Sequence, residues 1–194
     1  MKNKNEILLF SGFTVICLGI VSLMFGKKIL AMAFDTYIVE NKTAFLAKVN
    51  DICQKLNIKA DWLMAVMAFE SGINPAKVNS VSGATGLIQF MPSTAAGLGT
   101  STTALKAMTN VQQLDYVHKY FAKYAPKIKN FTDTYLTVFY PAAVGLADSF
   151  VIGATGSAIA NQNPAFRNSN GAVTVGSVKT YMLNWVEKKG FKII

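Results

Sequence analysis

Ile7 to Gly26 reads ILLFSGFTVICLGIVSLMFG, an uninterrupted apolar run without a single charge. At about 1.5 Å per residue a helix of this length spans roughly 30 Å, the hydrocarbon thickness of a bilayer. Lys2 and Lys4 flank one end and Lys27 and Lys28 the other, where long cationic side chains reach the headgroups. The competing reading is a cleaved signal peptide, with Ala31-Met32-Ala33 as a small-residue processing site. The run exceeds the usual length of about 7–15 residues for such a core, which favours a retained anchor. Lysines on both sides leave the orientation open. Tyr135 to Ala160 is also apolar, but Pro141, Gly145, Asp148, Gly153 and Gly156 interrupt it. Those residues disfavour a long helix, so this second stretch reads as buried core.

The remainder is patterned for helices. Phe45, Val49, Ile52, Cys53 and Leu56 recur at helical spacing, and residues 29–41 can continue the anchor as a stalk. Asp61 is placed to cap WLMAVMAFES, a helix apolar nearly all round and therefore expected at the centre of the domain. Residues 72–86 read as a loop rich in Gly, Asn, Ser and Pro. A helix is expected from Pro92, a third capped by Asn110, a fourth started by Asp133, and a last one over SVKTYMLNWVEKK. Strand-like alternation is confined to short pieces such as residues 172–175. The chain is thus expected to be mainly α, with an anchor over 1–28, a stalk or linking helix over 29–48 and one domain over 49–194.

The available side chains restrict the chemistry. Two cysteines, Cys17 and Cys53, build neither a disulfide framework nor a four-ligand zinc site. The single histidine, His118, lies near lysines on a polar helix face and reads as a surface residue. The stretch from Phe166 to Gly171 has an EF-hand-like rhythm, yet Phe166 and Ser177 stand at its first and twelfth positions, so no calcium site is expected. Nineteen Lys and Arg against ten Asp and Glu give a net charge of +9, which favours an anionic partner without choosing among nucleic acid, lipid and wall polymer. No motif supports nucleic-acid binding.

Chemistry must therefore rest on carboxylates, hydroxyls or amides, and Glu70 is the foremost candidate. It follows the uncharged stretch Trp62–Phe69, and the next acidic residue is Asp115. Desolvation on an apolar helix disfavours the ionised carboxylate and raises its pKa. A carboxyl protonated near neutral pH is what a glycosidase needs to protonate a leaving oxygen. From placement alone, a Glu reaching solvent at a helix end, or pairing with a lysine, remains the alternative.

Its neighbours weigh against that alternative. Glu70-Ser71, Asn74-Pro75, the run Gly83-Ala84-Thr85-Gly86-Leu87-Ile88-Gln89-Phe90-Met91-Pro92 and Thr94-Ala95 follow in order. The segment resembles the soluble lytic transglycosylase family, which shares its fold with goose-type lysozyme. Residues 110–124 and 133–145 further resemble a subgroup found in phage and virion cell-wall enzymes. The resemblance covers roughly residues 49–185 and implies a lysozyme-like domain with Glu70 catalytic.

It also implies that Ser71, Gln89, Phe90, Met91 and Tyr140 contact substrate or position Glu70, each against a blander role. Ser71 either orients the carboxyl or caps the helix. Gln89 either binds sugar or braces its loop. Phe90 and Met91 line a groove or pack in the core. Backbone groups near Ile88 to Phe90 are candidates for bonding acetamido groups. Tyr140 matches the Tyr of a family Tyr-Asn-Ala-Gly element, but Pro141 stands where the Asn belongs. Tyr181 matches a further family Tyr loosely and reads better as a core aromatic.

No Asp or Glu occurs between Ser71 and Leu114, so a single-acid mechanism suits the chain better than a two-carboxylate one. The implied activity is cleavage of the MurNAc-GlcNAc β-1,4 bond of peptidoglycan with a 1,6-anhydro product, without metal or organic cofactor. The expected partners are peptidoglycan strands and a lipid bilayer through Ile7–Gly26. The expected location is single-pass in a virion internal membrane or a bacterial envelope, with the catalytic domain facing the wall, and the expected role is local wall opening during phage entry. The alternatives are a hydrolytic muramidase, and a non-catalytic glycan-binding or structural protein.

Overall fold

The structure is a computed structural model that describes residues 34–193. The chain divides into two units, 1–35 and 36–194. The expected anchor at Ile7–Gly26 lies outside the described residues, and no described helix is long and apolar enough to cross a membrane.

The second unit is mainly helical, as the periodicities predict. Helix α1 (Lys42–Leu56) buries Phe45, Val49, Ile52, Cys53 and Leu56, the residues expected on its inner face. It packs against α2 (Ala60–Ser71) and α5 (Asn110–Ala122). Leu63 through Ala68 of α2 are buried in an unbroken run, so α2 is the central helix its composition demands. The short helices α3 (Pro92–Gly97) and α4 (Thr102–Ala107) lead into α5. Helix α6 (Phe131–Phe139) lies against α2, and against α8 (Val175–Lys188) on another side. Between α6 and α8 run β1 (Val151–Gly153), the short α7 (Ala158–Gln162) and β2 (Val173–Thr174). The strands pair antiparallel, Val151 with Thr174 and Gly153 with Val173.

Several boundaries differ from the expected ones, for local reasons. The 48/49 boundary falls inside α1, whose Lys48 donates to the Val111 carbonyl at 2.8 Å and pairs with Asp115 at 2.8 Å. The described part of the stalk, residues 34–41, is turn and coil rather than helix.

Asp61 lies in the first turn of α2, and Lys59 occupies the cap position. Thr109 rather than Asn110 caps α5, in a reciprocal box with Gln112. That frees the Asn110 amide to donate to the Glu40 carbonyl at 2.7 Å. Asn130 rather than Asp133 caps α6. Asp133 is 5% exposed and accepts from the backbone N–H groups of Lys129 and Gly145 at 2.9 and 3.0 Å, tying the far end of the following loop back to α6. The rhythm after Phe166 belongs to a turn in which the Asn168 carboxamide accepts from the N–H groups of Asn170 and Ala172. His118 is half-buried on α5.

Candidate active site

Glu70 stands in the last turn of α2, and the chain reverses immediately after it. Gly72 and Ile73 both adopt left-handed conformations, φ 65° and 57°. Their N–H groups return to the carbonyls of Ala68 and Met67 at 3.0 and 3.2 Å. This termination needs a residue at Gly72 that tolerates positive φ. Ile73 carries the strain of a β-branched residue there because its side chain is 1% exposed and held by the core. The reversal keeps the carboxyl at the end of a buried helix, where the next residues cannot extend past it.

The carboxyl makes no ion pair and no side-chain hydrogen bond among the described residues. Burial raises its pKa from 4.5 to about 7, because desolvation penalises the anion with no nearby cation to offset it. The expectation of a carboxyl protonated near neutrality therefore has a structural cause, and pairing with a lysine is not seen.

Aromatic side chains wall this end of α2. Phe69 meets Tyr135 and Trp185 edge to face at 5.4 and 5.1 Å and Tyr181 at 6.3 Å. Phe166 bridges Phe139 and Tyr181 at 4.9 and 5.0 Å. Tyr135 is 2% exposed. Its hydroxyl is held well above its ordinary pKa by burial first, then by the Glu70 charge and by Tyr181. Tyr135 thus belongs beside the candidate acid. The sequence reading missed it, although its spacing from Phe139 marks an aromatic pair on one helix face; the two rings stack at 5.9 Å. Tyr181 is a half-buried aromatic of this wall.

The glycine-rich loop is fastened to the same helix. The Ser71 hydroxyl lies 2.9 Å from the Leu87 carbonyl and 3.1 Å from that of Met67. It is a strut between helix and loop and does not orient Glu70. Thr85 and Phe90 exchange both backbone hydrogen bonds, 3.0 and 2.8 Å, and close a tight turn over residues 86–89. Gly86 (φ 83°) and Gln89 (φ 52°) are left-handed within it.

A Cβ on Gly86 would overlap Oε1 of Gln113, a fully buried amide from α5. That oxygen accepts from the Leu87 N–H at 2.9 Å, and the Gln113 amide nitrogen donates to the carbonyls of Pro75 and Leu105, each at 2.6 Å. Gln113 is the second residue the sequence reading overlooked. Polar helix residues are common, and only burial distinguishes this one.

The other expected contact residues separate. Gln89 donates to the carbonyls of Gly86 and Lys77 at 3.1 and 3.3 Å, so its amide nitrogen braces the loop. Phe90 is 2% exposed and packs edge to face on Tyr120, a core role rather than a groove wall. Met91 is 45% exposed and available to a ligand. Tyr140 is half-buried at the C-terminal cap of α6, and its hydroxyl makes no hydrogen bond among the described residues. Pro141 opens a single 3-10 turn, Pro141–Ala143, where the family element carries its Asn. Of the backbone groups considered for acetamido contacts, those of Phe90 are consumed by Thr85, whereas Ile88 keeps its N–H and carbonyl free among the described residues.

Residues 48–138 match the family model of the Transglycosylase SLT domain. Over those residues the chain is similar to a transglycosylase domain. No curated protein matches the chain. The SLT match takes in Glu70, Ser71, the loop through Met91 and the buried Gln113, and it ends just before Tyr140. The aromatic wall contributed by α8 lies beyond it. No group of side chains able to hold a metal ion occurs among the described residues.

Proposed function

We propose that the chain is a membrane-anchored lytic transglycosylase that opens the cell wall locally, in the setting of phage entry. Glu70 acts alone as acid and then as base. It first protonates the oxygen between N-acetylmuramic acid and N-acetylglucosamine, and the bond from that oxygen to muramic C1 breaks. The substrate's acetamido group stabilises the cationic sugar. The carboxylate then takes the proton of the muramic C6 hydroxyl as that oxygen bonds to C1, leaving a 1,6-anhydro ring. An intramolecular nucleophile replaces the activated water and the second carboxylate by proximity.

The observation that carries this reading is a carboxyl raised to about 7 by burial, at the edge of an aromatic wall and a braced loop. The other acidic side chains considered as partners are engaged elsewhere. Asp115 pairs with Lys48 at 2.8 Å, Asp148 with Lys179 at 3.0 Å, and Asp133 accepts two backbone N–H groups.

Digestion of purified peptidoglycan, read by mass spectrometry, tests the proposal. Anhydro-muropeptides are expected, falling by about 10²–10⁴ in Glu70→Gln. Reducing-end products would make the chain a hydrolase. Retention of glycan without turnover would make it a binding module.

A further inference from the structure

A hollow of about 330 Å³ lies at the other end of α2 from Glu70. Trp62, Phe131, Leu146, Val175, Leu183 and Ile193 supply its apolar lining. Trp62 lies eight residues before Glu70, about 12 Å along the helix axis. Helix α6 runs the same way, with Asn130 and Phe131 at the hollow and Tyr135 and Tyr140 toward the catalytic end. On α8, Val175, Lys179 and Leu183 follow at four-residue spacing and form one stripe facing the hollow.

Two features mark this end. Leu146 and Leu183 on the rim are 42% and 41% exposed, and Phe150, whose carbonyl accepts from the Val175 N–H at 3.0 Å, is 39% exposed. The Trp62 indole N–H is buried without an acceptor among the described residues. Around these apolar groups the charge is mainly positive. Lys127 and Lys129 are exposed on the segment entering α6, Lys188 at the last position of α8, and Lys189 and Lys192 on the chain between α8 and Ile193. The acids nearby are Asp61 beside Trp62 in the first turn of α2, Asp148, already paired with Lys179, the buried Asp133, and Glu187.

We propose that this end of the domain docks on an anionic lipid surface. The lysines supply attraction that acts within a Debye length of the headgroups. Leu146, Phe150 and Leu183 enter the interface, where shallow burial of apolar side chains is favourable. Trp62, with the Lys59 ammonium 5.3 Å over its ring, forms part of the apolar floor beneath them. Docking by this end turns Glu70 and the loop around Gln89 away from the bilayer, toward whatever polymer lies beyond it. The inference builds on the membrane association proposed above but not on the chemistry of Glu70.

Hydrogen exchange of the full chain tests it, in vesicles of phosphatidylcholine with and without phosphatidylglycerol. Slower exchange is expected over residues 144–151 and 179–193 only when the anionic lipid is present. That protection should be lost in Leu146→Glu with Leu183→Glu, and independently in Lys189→Glu with Lys192→Glu. Equal exchange in both vesicles, protection that survives both double variants, or protection centred on residues 78–91 would each overturn the proposal. Carbonate extraction of the same samples reports separately on whether Ile7–Gly26 is inserted, so failure of the anchor and failure of the docking face are distinguishable.

Discussion

Glu70 shows how one residue acquires reactivity from its position. An exposed glutamate titrates well below neutrality, whereas this one is raised to about 7 by burial. Its acid form is therefore substantially populated near neutral pH. If Glu70 donates the first proton, kcat/KM on soluble glycan-strand fragments that contain the MurNAc-GlcNAc bond should fall as pH rises through about 7, tenfold per unit once the limb is fully developed. A rate unchanged between about pH 6 and 9 would remove Glu70 from that role. Its neighbour Ser71 illustrates a different logic. The dyad Glu-Ser suggests two site residues, but the serine hydroxyl is spent on the carbonyls of Leu87 and Met67. A hydroxyl one residue farther along a helix points to a different face, and here that face is the loop.

At the scale of elements, the glycine-rich loop is tied to α2 by Ser71 and to α5 by Gln113. Gln113 carries three buried hydrogen bonds to Leu87, Pro75 and Leu105. Gln113→Leu would leave buried backbone groups without partners, each costing about 1–3 kcal/mol. A loss of at least about 3 kcal/mol is expected in urea unfolding. Gly86→Ala should be comparably harmful, by about 3 kcal/mol, since it combines a left-handed backbone with overlap against the Gln113 amide. If the same titrations showed Gly86→Ala neutral, the close approach of loop and helix would not hold in solution.

For the whole molecule, burying one neutral carboxyl makes stability depend on pH. Between 4.5 and about 7 the folded chain keeps a proton on Glu70 that the unfolded chain releases. This contribution is fully present below 4.5 and is lost as pH rises toward and through 7, a change of about 3 kcal/mol. Glu70→Gln cannot ionise. It should therefore match the parent below pH 4.5 and exceed it by about 3 kcal/mol above neutrality, as measured by chemical denaturation at a series of pH values. A constant difference across that range would mean the carboxyl is ionised and solvated in the folded protein.

The helical architecture was legible because its signals are local. The apolar run Trp62–Phe69 has to be central, the spacing of Phe45, Val49, Ile52, Cys53 and Leu56 describes one buried face, and Pro92 starts a helix where its missing N–H costs nothing. Glu70 stood out for the same reason, as a charge placed where its own surroundings oppose it. Which residues meet it was not legible. Tyr135 and Gln113 reach the site from α6 and α5, and Phe90 turns inward although its loop neighbour Met91 turns out. Those outcomes depend on which helix faces come together in space. Side-chain periodicity specifies that a face is buried but not what it is buried against, and hydrogen bonds between distant segments form only after packing has chosen the neighbours.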